Sequence, residues 1–197
     1  RSNETVVRLM TQGRGFSYSD RSQLLAVIGE LIQGLIPRYR KLAESGQIEL
    51  STTPHYHPLA PLLIDFSSAR DSMPSANLPA ENNYPGGRSR VAWHLSSAIE
   101  SHTRRFGIRP SGVWPAEGAI SSPLLEILGE QHCHWSASGE GVLANSLRKS
   151  FPSGSLPERN RYLYRPYRLE GRAESVTCFF RDERLSDMIG FEYSKWF

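Results

Sequence analysis

Ile108-Arg109-Pro110-Ser111-Gly112-Val113-Trp114, running into Pro115-Ala116-Glu117-Gly118, is the stretch on which the fold of this chain turns. Proline and glycine punctuate it, and Val113 and Trp114 favour extended backbone, so the spacing predicts a buried strand. Pro115 disfavours the helical conformation at Trp114, so the chain leaves the strand extended. Glu117 then stands just past the strand end, three residues after Trp114, before Ser121-Ser122-Pro123 opens a helix. In barrels of parallel strands, catalytic groups occupy that position. A tryptophan beside a carboxylate also suits a sugar site, because an aromatic face stacks on a pyranose ring. The same residues fit a plainer arrangement, a surface glutamate after a core tryptophan.

Upstream, a short apolar patch (Val6, Val7, Leu9, Met10) gives way to polar, glycine-containing chain. Ser19 or Asp20 offers a helix N-cap, after which Leu24, Leu25, Val27, Ile28, Leu31, Ile32, Leu35 and Ile36 recur at helical spacing. Pro37 predicts a kink or break, and Ser45-Gly46 a stop. The expectation is a long amphipathic helix covering a sheet. Gln47-Ile48-Glu49-Leu50-Ser51-Thr52-Thr53 alternates like a strand and runs into Pro54-His55-Tyr56-His57-Pro58. On extended backbone, His55 and His57 would point to one side, which invites a metal pair. Two hydrogen-bonding groups around a sugar hydroxyl, or solvated loop histidines, are the other readings.

Residues 65–90 are rich in turn formers and read as a long connection. Helical spacing returns from Ser89 to Phe106 and again from Ser121 to Glu130. His134-Trp135-Ser136-Ala137-Ser138 predicts a strand that ends at Gly139-Glu140-Gly141, where Glu140 is a strand-end carboxylate or a turn residue. Residues 148–160 read as surface loop, and Arg161-Tyr162-Leu163-Tyr164-Arg165-Pro166-Tyr167 as a packed aromatic-basic edge or a sugar-lining wall. Val176-Thr177-Cys178-Phe179-Phe180 reads as a strand buried on both faces. Asp182 and Asp187 follow it. Either is a candidate for acid–base chemistry, and either could cap the next helix, with Asp187 fitting the cap better.

At 197 residues the chain is long enough for one sizeable core and is read as a single domain. Its net charge of +3 and pI near 9.0 come from scattered Lys and Arg, without a zinc-finger, RRM or basic-helix pattern, so no nucleic-acid partner is expected. Cys133 and Cys178 sit in apolar surroundings and read as buried free thiols. No apolar run approaches the roughly 18 residues of a membrane span, and no signal peptide is visible. A cytoplasmic location and no membrane partner follow as expectations.

Three stretches together resemble the second, third and fourth signature regions of glycoside hydrolase family 57. They are Gln47 to Pro58, Gly112 to Ser121, and Phe180-Arg181-Asp182-Glu183-Arg184-Leu185-Ser186-Asp187-Met188-Ile189-Gly190-Phe191-Glu192-Tyr193-Ser194. The branch most similar is the bacterial α-amylase or α-mannosidase-like group related to amylopullulanases. The resemblance implies part of an incomplete (β/α)7 barrel of parallel strands, α-glucan substrates, retention of configuration and no catalytic metal or cofactor. It also implies Glu117 as nucleophile and Asp182 as general acid/base, with Asp187 the fallback. His57, Trp114 and Trp135 become substrate contacts by the same route, and His55 and Glu140 are added as substrate-binding candidates from their places at the strand ends. Such chemistry needs two carboxyls about 5–5.5 Å apart. The family's first region is absent, and its fifth would lie beyond Phe197. The expectation is therefore a central piece of a catalytic barrel, truncated at both ends and inactive alone. Two other functions fit less of the pattern: a non-catalytic carbohydrate-binding relative, and a metal-dependent polysaccharide deacetylase using His55 and His57.

Overall fold

The computed structural model describes residues 3–151, 155–170 and 174–196. The chain divides into two compact units: residues 1–49 with 105–107, and residues 50–104 with 108–197. The first holds α1 (Glu4–Gln12) and α2 (Tyr18–Glu44). Ser17, not Ser19 or Asp20, is the N-cap of α2, and Asp20 completes a capping box with it. Arg8 of α1 pairs with Asp20 at 2.8 Å, so Asp20 is held well below the usual carboxylate range, first by its hydrogen bonds to Ser17 and then by Arg8.

Pro37 does not end α2; the 27-residue helix runs through it. One proline removes a single backbone hydrogen bond, and the ladder on either side continues. The stop comes where expected. Gly46 adopts φ 70°, its N–H reaches Ala43, and the N–H of Gln47 reaches Leu42, both at 3.0 Å. Along α2 only Val27 is buried, and Leu25, Leu31 and Ile32 stand exposed.

The second unit is built on a four-stranded sheet in the order β1 (Gly112–Val113), β2 (Trp135–Gly139), β4 (Val176–Arg181), β3 (Tyr167–Leu169). β1, β2 and β4 are parallel, and β3 adds an antiparallel edge to the expected parallel set. The strand expected over 47–53 contracts to one bridge. Thr52 donates to Gly112 at 3.1 Å and accepts from Trp114 at 2.8 Å, pairing in parallel with Val113. Pro54, with no N–H, cannot extend that ladder.

Helices α5 (Gly87–Phe106) and α6 (Ser122–Glu130) supply most of the core. Val91, Leu95 and Ile99 recur every four residues on one face of α5 and pack with Leu124, Ile127 and Leu128 of α6 against Val113, Val176 and Cys178. Burial pushes the Cys133 and Cys178 thiols up to about 11, so both are inert neutral groups. Gly87 lets α5 start hard against the chain, since a Cβ there would meet the carbonyl of Leu63 at 1.6 Å.

The expected loop over 65–90 contains a 3-10 turn (Phe66–Ser68) and the short helix α4 (Ala69–Ser72), following α3 (Ala60–Ile64). α7 (Glu140–Ser150) starts directly at the end of β2, so Glu140 is the first residue of a helix. The loop expected at 148–160 is bounded by α7 and α8 (Arg159–Tyr162), and residues 152–154 lie outside the described chain. After β4, Asp182 caps α9 (Glu183–Asp187) by accepting from the Leu185 N–H at 3.0 Å. The cap expected at Asp187 is therefore at Asp182; Asp187 is the last residue of that helix.

Candidate active site

A cleft of about 640 Å³ opens at the C-terminal ends of the parallel strands. His57, Trp114, Glu117, Ser138, Arg181 and Glu183 line it, with the 68–73 segment along one side. The parallel sheet places these residues together. β1, β2 and β4 end side by side, so the residues following each strand share one rim.

Glu117 sits in a 3-10 turn (Ala116–Gly118) just after β1, at φ 55° and ψ 18°. Among the described residues only four non-glycines adopt a positive φ, and two of them, His57 and Glu117, line this cleft. Each such conformation costs on the order of 1–3 kcal/mol and persists only where surrounding structure enforces it. The enforcing groups are visible in β2. Ser136, fully buried, donates to the carbonyl of Val113 at 3.0 Å, and Ser138, equally buried, donates to that of Gly118 at 2.6 Å. Two hydroxyls on one face of β2 thus tie down the strand and turn that carry Glu117. The carboxylate itself is open to a ligand: its side chain is 73% exposed, and among the described residues its partner is Nε2 of His57 at 3.2 Å.

The acids after β4 are held very differently. Asp182 is only 9% exposed and accepts from Arg159 at 2.9 Å, from the Tyr164 hydroxyl at 2.6 Å and from the Leu185 N–H. Arg159, then Tyr164, then the backbone donor keep its carboxyl well below the usual carboxylate range. Arg159 is shared. Its Nε donates to Glu140 at 3.0 Å and its Nη2 also bonds Glu140, so one guanidinium fork joins the residues after β2 and β4. Glu140 further accepts from the N–H of Glu183 at 3.2 Å. Both carboxylates raise the Arg159 pKa, Glu140 more than Asp182, and the bond to Asp182 raises that of Tyr164.

The structure therefore divides the sequence-predicted residues. It brings His57, Trp114 and Glu117 into the cleft. Glu140, Asp182 and Asp187 do not line it, the first two being tied to Arg159. Trp135 begins β2, at the opposite end from Gly139, and its ring lies across Gly112 and edge-on to Phe179. A four-residue offset along a strand is about 13 Å, which sets Trp135 well below the rim. His55 faces Tyr56 and Trp93, while His57 faces Glu117. The premise of a one-sided histidine pair fails because Tyr56 and His57 are left-handed, not extended. Among the described residues no group of three or more His, Cys, Asp or Glu is arranged to hold a metal ion, and no helix is long and apolar enough to cross a membrane.

Sequence reasoning missed Glu183, Arg159 and the two serines. Glu183 is the carboxylate from the β4–α9 junction that reaches the cleft, with Oε1 where a Cβ on Gly139 would stand. Gly139 was read as turn-forming; its missing side chain makes room for that carboxylate. The serine pair had a signal in the alternation Ser136-Ala137-Ser138 within an expected strand, where buried hydroxyls must find carbonyls. Arg159 carried none, since its partners lie 19 and 23 residues away in sequence.

The family model for glycosyl hydrolase family 57 matches residues 5–197. No curated protein sequence matches. Among solved structures, the 4-alpha-glucanotransferase of Thermococcus litoralis aligns with a TM-score of 0.54 and 22% identity over 87% of this chain and 22% of its own. The alpha-amylase AmyC of Thermotoga maritima gives 0.54 and 15%, over 87% of this chain and 27% of its own. A GH57 branching enzyme of Thermococcus kodakaraensis gives 0.52 and 15%, over 89% and 30%. The likeness shows a shared fold, and the chain spans less than a third of the length of each.

Proposed function

The chain belongs to glycosyl hydrolase family 57, and from that premise we propose that it is the central part of a catalytic domain that hydrolyses or transfers α-glucosidic bonds with retention of configuration. One observation carries the proposal. A solvent-exposed carboxylate, Glu117, is held in a strained left-handed turn at the C-terminal end of β1, inside a cleft and against an imidazole. Nothing in the core requires an acid there, whereas a nucleophile must be exposed and oriented.

In the proposed reaction, a Glu117 oxygen attacks the anomeric carbon as the bond to the leaving oxygen breaks, and an acid protonates that oxygen. The conjugate base then takes a proton from water or a sugar hydroxyl. The oxygen so activated attacks the anomeric carbon and frees Glu117. Water as acceptor gives hydrolysis and a sugar hydroxyl gives transfer. Trp114, partly exposed in the cleft, supplies a stacking face, and His57 orients Glu117.

The proton donor has two readings. Resemblance assigns it to Asp182, with Asp187 the fallback. In the arrangement described, Asp182 carries no proton, so donation by it requires Arg159 and Tyr164 to let go. The second reading is Glu183, favoured because it reaches the cleft where Asp182 does not. Azide rescue of the whole protein separates the roles. Glu117→Gln should lose turnover and, with azide and an activated α-glucoside, yield the inverted β-glycosyl azide. Whichever of Asp182→Asn, Asp187→Asn and Glu183→Gln yields the retained α-azide marks the acid/base. Normal turnover by Glu117→Gln rejects the assignment of the nucleophile.

A further inference from the structure

The loop that delivers His57 to Glu117 also builds a second surface, outside the cleft. The Tyr56 ring, 78% exposed, lies 6.3 Å from that of Trp93, 52% exposed, with their planes 28° apart. His55 packs against Tyr56 at 4.3 Å and meets Trp93 edge-on at 6.1 Å. His94 abuts the Trp93 ring at 5.0 Å. The backbone holds the set in place: the His55 N–H donates to the carbonyl of His94 and that of His57 to Pro54, both at 3.0 Å. Tyr56 and His57 are consecutive left-handed residues, at φ 61° and 54°. That doublet sends neighbouring side chains to different partners, His57 to Glu117 and Tyr56 to Trp93.

We infer that Tyr56 and Trp93 form an outer stacking subsite for a pyranose ring of an α-glucan chain that continues out of the cleft past His57. The inference rests on the α-glucan reading above and extends it to residues that reading does not use. Two large, near-parallel aromatic faces in water suit a ligand with an apolar face, and the axial C–H bonds of a pyranose provide one. The flanking groups are imidazoles, able to donate to or accept from sugar hydroxyls. The two stacking faces, a phenol and an indole, carry no charge, so the surface matches a neutral ligand better than a phosphate or a charged peptide. Continuity fixes the occupant, since Tyr56 adjoins in sequence the residue that touches Glu117.

The test is chain-length dependence in the whole protein. For Tyr56→Ala and Trp93→Ala, kcat/KM on maltoheptaose should fall about tenfold each, the loss of one good contact, while kcat/KM on maltotriose stays within twofold. Trp93→Phe should recover most of the loss. Both positions are exposed, and alanine suits the interior of α5, so folding is preserved. Equal losses on both substrates, or none on either, overturn the subsite while leaving the α-glucan reading intact. A parent protein that neither binds nor converts any maltooligosaccharide overturns that reading and the subsite with it.

Discussion

Glu117 and Asp182 occupy equivalent places, each just past the end of a parallel strand, and the fold treats them in opposite ways. Glu117 has a strained backbone and an open side chain with one imidazole beside it. Asp182 has an ordinary helix-cap backbone and a side chain held by a guanidinium, a phenol and an amide. In the first, stability is given up around a group left available; in the second, the group itself contributes stability. Location at a strand end therefore nominates a residue for chemistry, and only its partners decide whether it can take part.

The largest effect that would sharpen this contrast is on turnover. Glu117→Gln should reduce kcat of the whole protein by about 10³-fold or more, roughly 4 kcal/mol of barrier, while its melting temperature barely moves. A variant that loses stability instead would place Glu117 among the structural acids.

Asp182→Gly should do the reverse to the fold, lowering the melting temperature by roughly 5 °C as cap and ion pair go together. The pH dependence follows from the direction of the Asp182 shift. Its folded pKa lies below the unfolded value of about 3.9, so its contribution is present above that pH and fades as pH falls through the folded pKa. Urea midpoints of the parent and Asp182→Asn should be furthest apart near neutrality and converge below about pH 4. A gap that stays constant down to pH 3 would break the clamp interpretation. Arg159→Met should destabilise too, and the double variant should lose less than the sum, because the two changes remove the same pair.

Ser138→Ala probes the support beneath Glu117. Losing a buried hydroxyl bound to the Gly118 carbonyl should cost about 1–2 kcal/mol in urea unfolding and lower kcat several-fold with little change in KM. Full activity in that variant would mean the turn holds its shape unaided. The smallest effect is a gain. Glu117→Gly should stabilise the fold by about 0.5–1 kcal/mol by relieving the left-handed backbone, where Asp182→Gly destabilises it. If both glycine variants destabilise, the contrast between the two strand ends collapses.

What could be read from the sequence follows from how local each signal is. The helices α5 and α6 were legible because Val91, Leu95 and Ile99, or Leu124, Ile127 and Leu128, declare a buried face within one short window. β4 was legible as an apolar run and β2 as a short stretch ending in glycine, and the place of Glu117 just past β1 because Pro115 keeps Trp114 extended. The strand at 47–53 was overstated, since alternation says nothing about whether a partner stays in register past Pro54. The cap expected at Asp187 falls at Asp182 instead, because each precedes residues able to begin a turn and only geometry at Leu185 decides between them. The Arg159 clamp joins three distant segments, and nothing local announces it.

The indole that lies across Gly112 has a consequence for observing this molecule. Trp93, Trp114 and Trp196 face solvent, whereas Trp135 is half-buried between two strands. Indole emission moves to shorter wavelength as water is excluded, so the short-wavelength edge of the spectrum reports on the joined strands. The long-wavelength edge belongs to the exposed rings, among them Trp114 of the cleft and Trp93 of the proposed outer subsite. A single fluorescence titration can therefore distinguish loss of the native state from the sugar occupancy proposed above, without any added label.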